Sequence, residues 1–124
     1  METSTSGFLA ERLDDPRIER RRPNGANDRG DLTGVHTFRG HRVVVEVKDY
    51  NGSVQVKPWL DQAEAERGND DAAIGVVVFK RSRIGYSNPA EHGVLMTLET
   101  FARLLEGGEP FEHVVVQAKE ISHE

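Results

Sequence analysis

The stretch Val43-Val44-Val45-Glu46-Val47-Lys48 limits the possible folds more than any other part of the chain. β-Branched side chains restrict χ1 and fit a pleated surface, so the run predicts a strand, extended here to Arg42–Tyr50. Alternation sends Val43, Val45 and Val47 to one face and Val44, Glu46 and Lys48 to the other. A carboxylate and an amine therefore sit side by side on an otherwise apolar strand, a place from which ionised groups are excluded unless solvent or function holds them. Ile74 to Phe79 is an unbroken apolar run and predicts a buried central strand. Between the two, Asn51-Gly52 makes a turn, and Pro58 suits the first turn of a helix that ends near Arg67 at Gly68-Asn69. A helix joining two buried strands implies a crossover. The expected fold class is α/β, with a mixed β-sheet flanked by helices.

The flanking segments fill in the order. Phe8, Leu9 and Leu13 predict a short helix over Gly7–Asp14, preceded by a frayed tail, residues 1–6. Arg17–Arg22 reads as a basic edge strand closed by Pro23-Asn24-Gly25. Asp31–Phe38 reads as a strand that the Arg39-Gly40 turn folds back on Arg42–Tyr50 as an antiparallel hairpin. On the helix from Pro58, Trp59, Leu60 and Ala63 form the apolar side, while Asp61, Glu64 and Glu66 point mostly to water. Arg81–His92 is a loop, Val94–Leu98 a strand, and Glu99–Glu106 a helix with Phe101, Leu104 and Leu105 on its apolar side. In the C-terminal extension, residues 107–124, Phe111–Lys119 is compatible with strand or helix. The result is an αβββαβ core followed by a strand and a helix.

At 124 residues the chain suits a single domain, residues 1–124. No apolar run approaches the roughly 20 residues of a membrane helix, and no signal-like start is evident, so a cytoplasmic protein without a membrane partner is expected. The absence of cysteine excludes disulfides and thiolate metal sites. A net charge of −5 argues at first against a polyanionic partner. The charge is unevenly spread, however. Arg17 to Lys48 holds eight basic residues against four acids, and Lys80, Arg81 and Arg83 form a second basic group. This pattern suits either a basic face for nucleic acid or an ordinary solvated surface.

Asp31 begins the strand that folds back beside Glu46 and Lys48. Two carboxylates beside a lysine suit phosphodiester hydrolysis. Hard oxygen ligands from Asp31, Glu46 and the Val47 carbonyl can hold Mg²⁺, with Mn²⁺ as a substitute. Bound metal lowers the pKa of water and neutralises charge developing on phosphate. Lys48 can orient or deprotonate the attacking water, or stabilise the transition state. The plain alternative is a solvent-facing strand with a weak Glu46–Lys48 ion pair.

Gly30-Asp31-Leu32, a short hairpin, and then Val45-Glu46-Val47-Lys48 resembles the PD-(D/E)XK nuclease superfamily, with Gly30 where the motif name has proline. The stretch Arg17–Lys48 resembles in particular the archaeal-type Holliday junction resolvases. Asn27–Asp31 with Trp59-Leu60 is also similar to segments of small phage and actinobacterial proteins. The resemblance covers roughly Phe8 to Leu105. It implies a restriction-endonuclease-like fold and a Mg²⁺-dependent endonuclease in which Asp31, Glu46 and Lys48 are catalytic. A first-helix glutamate is also implied, for which Glu11 is the match. DNA contacts are expected from Arg20, Arg21, Arg22, Arg29 and Lys80. The resolvases' loop serine has no counterpart between Pro23 and Gly30, which bears on junction specificity more than on nuclease chemistry.

Asp28 and Asp49 flank the proposed centre, although acids in turns are usually solvated. Gln62 either faces the site or lies on the helix surface. The five histidines show no zinc spacing. Three functions remain open: an endonuclease on branched DNA acting as a homodimer, a nicking or restriction-type nuclease on duplex, and a catalytically silent DNA-binding or interaction module.

Overall fold

The computed structural model describes residues 1–22 and 30–107. In chain order the elements are α1 (Glu2–Arg12), β1 (Glu19–Arg20), β2 (Leu32–Thr33), β3 (Val43–Lys48), α2 (Val56–Asn69), β4 (Ile74–Phe79), a 3₁₀ turn (Pro89–Glu91), β5 (Gly93–Leu95) and α3 (Leu98–Leu105). β3 and β4 run parallel, from Val43 opposite Ile74 to Lys48 opposite Phe79, and α2 is the crossover between them. β5 is antiparallel to β4, so the sheet order is β3-β4-β5 and the fully apolar strand takes the centre. The fold is α/β with a mixed sheet flanked by helices.

The alternation of β3 holds. Val45 and Val47 join Leu32, Ile74 and Val76 in one core, with Met1 and, from α1, Leu9 packed on it. The opposite face packs on α2 through Trp59, Ala63 and Val77. The helix approaches closely there, because a Cβ on Gly75 would lie 2.7 Å from the Ala63 carbonyl oxygen.

Two expectations need correction. Residues 2–6 belong to α1 and are not a frayed tail: Thr5 and Ser6 are buried, and Met1 packs on the β3 core. Tertiary packing orders a segment whose small polar residues carry no strong local signal. The expected hairpin is also broken. Val43 N–H donates to Val35 O at 2.9 Å and Thr37 N–H to His41 O at 2.8 Å, around a single bridge between His36 and Arg42. Continued unbroken, that register would set Asp31 against Val47, yet Asp31 N–H donates to Val45 O at 2.8 Å, two residues out of step. The cause is Gly34, at φ +83°, where a Cβ would lie 2.4 Å from the Arg17 carbonyl oxygen. Only glycine fits a left-handed backbone pressed against another chain segment. Upstream of that kink, β2 pairs with β1 as a separate two-stranded sheet. Among the described residues no helix is long and apolar enough to cross a membrane. Phe111–Lys119 lies outside the described residues.

Candidate active site

The parallel pair β3–β4 ends at Lys48 and Phe79, where Lys80 N–H donates to Lys48 O at 3.0 Å. Ligands of open α/β sheets gather outside the carboxyl ends of such strands. Glu46 and Lys48 face α2 here, and the Glu46 residue is only 5% exposed. Lys48 Nζ lies 3.4 Å from Glu46 Oε1. Gln62 of α2 joins them: its Oε1 accepts from Lys48 Nζ at 2.7 Å, and its Nε2 donates to Glu46 Oε1 and to Glu66 Oε1, each at 3.0 Å. The amide therefore turns its acceptor to the cation and its donors to two buried carboxylates.

The expectation that Glu66 points to water is overturned, since it is 3% exposed. Trp59, Ala63 and Glu66 stand at i, i+4 and i+7 and form the buried stripe of α2. That spacing was the available signal for Glu66, and the carboxylate's polarity masked it. Gln62 faces the site.

Asp31 sits on the outer edge of β3. Its Oδ2 accepts the Val47 N–H at 2.6 Å, so the carboxylate lies against the peptide joining Glu46 to Val47. The two-residue slip makes this contact available. In a strand the N–H and C=O of one residue share an edge, so the Val47 carbonyl belongs to the same edge as Asp31. Glu46 Oε2 is buried and, among the described residues, has no hydrogen-bond partner. Leaving such an oxygen unsatisfied costs about 1–3 kcal/mol, and more for a charged group. The donor set of Asp31, Glu46 and the Val47 carbonyl is all hard oxygen, and with the orphaned Oε2 it fits a divalent cation such as Mg²⁺. It contains two carboxylates, and among the described residues no group of three or more His, Cys, Asp or Glu side chains is placed to hold a metal.

Aromatic rings wall the site. Lys48 Nζ lies 5.9 Å from the Tyr50 ring centroid, and Tyr50 meets Trp59 edge-on at 5.4 Å. Asp49 accepts a hydrogen bond from the Tyr86 hydroxyl, which raises the Tyr86 pKa above the usual phenol value. Lys80 Nζ is 5.9 Å from the Tyr86 centroid, so it lies at the same end of the sheet.

Glu11 is exposed and borders the loop carrying Tyr86 to Glu91. It is not brought to Glu46 or Lys48. A second α1 glutamate, Glu2, lies nine residues earlier, about 13 Å along the axis. Glu2 Oε2 pairs with Arg20 Nη2 at 3.2 Å, and its charge is felt by the Tyr86 hydroxyl. Sequence reading passed over Glu2 because it fell within the expected tail.

The basic lead-in divides as strand alternation requires. Arg20 turns to Glu2. Arg21 turns the other way, with Nη2 3.9 Å from Asp70 Oδ2, while its main-chain N–H donates to Asp31 O at 2.7 Å. Arg22 is exposed beyond the end of β1. Asp28 and Arg29 lie outside the described residues. No protein-family model, curated protein or solved structure matches the chain.

Proposed function

We propose that the chain is a metal-dependent endodeoxyribonuclease of the PD-(D/E)XK type, acting on branched DNA of the Holliday junction kind. The observation that carries the reading is the buried Glu46 Oε2, without a hydrogen-bond partner among the described residues, on a carboxylate whose Oε1 is 3.4 Å from Lys48 Nζ and whose following peptide N–H is held by Asp31. Burying a carboxylate with one oxygen unsatisfied is costly, and a bound cation would offset that cost.

Asp31, Glu46 and the Val47 carbonyl would hold Mg²⁺, or Mn²⁺ in its place. When bound, the ion would supply an acidified water and charge neutralisation at the phosphate. Lys48, aimed by Gln62, places a positive charge where the phosphate oxygens gain negative charge. Glu11 is the first-helix glutamate that the resemblance implies. Symmetric cutting of a four-way junction calls for a homodimer, with one centre per protomer.

The test is cleavage of a synthetic junction, a matched duplex and a single strand, in Mg²⁺ and in EDTA. Junction cutting only in Mg²⁺ is expected. Preferential duplex cutting would move the assignment to a nicking or restriction-type nuclease, and binding without cuts to a silent DNA-binding module. Asp31→Asn and Glu46→Gln should each abolish cleavage while leaving binding largely intact. Lys48→Ala should lose a factor on the order of 10². A Lys48→Ala enzyme as fast as wild type would remove that residue from the mechanism.

A further inference from the structure

Away from the Lys48 end of β3, a cleft of about 480 Å³ opens between the β1–β2 pair and the start of β3. Arg17, Arg21, His36, Arg42 and Asp70 line it. Its floor is set by Gly34, whose kink draws the Arg17 backbone against β2. The three guanidiniums are unequally engaged. Arg17 gives Nε and Nη2 to Asp15, both at 2.9 Å, and Arg42 gives one Nη2 contact to the Asp71 carbonyl at 3.3 Å. Among the described residues the Arg21 side chain has only the 3.9 Å approach to Asp70, and its Nε is buried without a hydrogen-bond partner. A half-buried guanidinium carries five donors in a fixed fork, and leaving one unsatisfied is costly.

We propose that this cleft binds a phosphate of the DNA backbone, with Arg21 as its central donor and Arg42 and Arg17 beside it. Three arginines against Asp15 and Asp70 leave one positive charge, which matches the single negative charge of a phosphodiester. Guanidinium forks suit the oxygens of phosphate better than an ammonium does. The position suits a strand that also reaches the candidate centre, because Arg21 and Asp31 are joined through their main chains. That DNA carries the phosphate rests on the proposed function; the cleft's own chemistry asks only for a phosphate oxyanion.

The experiment uses the full chain in EDTA, where cutting is off. Fluorescence anisotropy of a labelled duplex and a labelled junction is followed across a salt series. Arg21→Ala should weaken binding about tenfold and make the slope of log affinity against log salt shallower by about one, the value for one lost phosphate contact. Since Arg21 and Arg42 fork the same phosphate, Arg21→Ala/Arg42→Ala should flatten the slope by no more than about one. Arg21→Lys keeps the charge and loses the fork, so it should keep most of the slope while binding several-fold more weakly, and it guards against a folding defect. Arg12→Ala, on α1 over Phe8 and outside the cleft, should leave the slope unchanged.

Inorganic phosphate, titrated alone, should shift the side-chain Nε–H NMR signals of Arg21 and Arg42. Shifts with an unchanged DNA slope in Arg21→Ala would overturn DNA as the carrier, and no shifts with an unchanged slope would overturn the site. The two readings separate cleanly. Wild-type binding that depends on Arg21 without any Mg²⁺-dependent cleavage leaves the cleft standing and sinks the nuclease; cleavage with Arg21-independent binding does the reverse.

Discussion

Gln62 is the residue on which the candidate site turns, because one amide serves three charged groups: Lys48 through Oε1, and Glu46 and Glu66 through Nε2. Among the described residues, Glu46 Oε1 has otherwise only the 3.4 Å approach of Lys48 Nζ. Gln62→Leu fills similar space and removes every one of these bonds, leaving buried carboxylates short of a donor. It should destabilise the protein by about 2–4 kcal/mol in urea unfolding. Glu66→Leu/Gln62→Leu should cost less than the sum of the single changes, by about 1–2 kcal/mol, since removing Glu66 also removes a charge that Gln62 was satisfying. Strict additivity in that cycle would show that the two side chains do not share a bond. At this scale the sequence told much. Glu46 and Lys48 were legible as a pair because strand alternation has a period of two. The Asp31 contact was legible as a tendency only, because its register depends on a kink two residues past β2's start, at Gly34. Glu66 was misread because its carboxylate suggested solvent while its spacing placed it on the buried stripe.

Among the elements, β4 and α2 are the pair on which site geometry depends, since α2 carries Gln62 and packs on β4 over Gly75. The close approach is a property of glycine: a Cβ there would meet the Ala63 carbonyl oxygen at 2.7 Å and Arg67 Cβ at 3.2 Å. Backbone cannot yield as a flexible side chain does, so Gly75→Ala should lift α2 from the sheet. The expected cost is about 1–3 kcal/mol, the usual size for forcing extra volume into a packed contact. Emission from Trp59, the only tryptophan, should change with it, because that ring is 3% exposed on the same helix. A urea midpoint and Trp59 spectrum equal to wild type would show that the helix has room to spare. Elements with a long apolar run were readable from the chain: β4 coincides with the expected Ile74–Phe79, and α2 and α3 contain nearly all of their expected spans. The short elements were not. β1 and β2 have two residues each, and α1 starts at Glu2 through contacts made by Met1 and Leu9 with a core assembled from distant strands. Such contacts leave no local pattern in sequence.

For the whole molecule, proton linkage gives a test that is independent of any substrate. His92 precedes β5, and its Nδ1 accepts the Arg81 N–H at 3.2 Å. Burial first, and then the charge of Lys80, lower its pKa from the ordinary 6.5, with Arg81 adding to the effect and Asp49 opposing it. The folded protein thus binds fewer protons at His92 than the unfolded chain does, and stability falls with decreasing pH where the two differ. The contribution is fully present above about 6.5, the unfolded value, and is lost as pH falls through the lower folded value. Protonation also puts a hydrogen on Nδ1 and ends its acceptance of the Arg81 N–H. Asp15 behaves differently. Its hydrogen bonds from Arg17 hold its pKa at about 2, so its contribution persists until far more acid conditions. The thermal midpoint in EDTA should therefore begin to decline just below pH 6.5, well before Asp15 titrates. His92→Asn keeps an oxygen near the Nδ1 position and cannot titrate, so its midpoint should stay flatter than wild type from pH 7 to pH 5. Parallel declines in the two proteins would assign the acid sensitivity to groups other than His92.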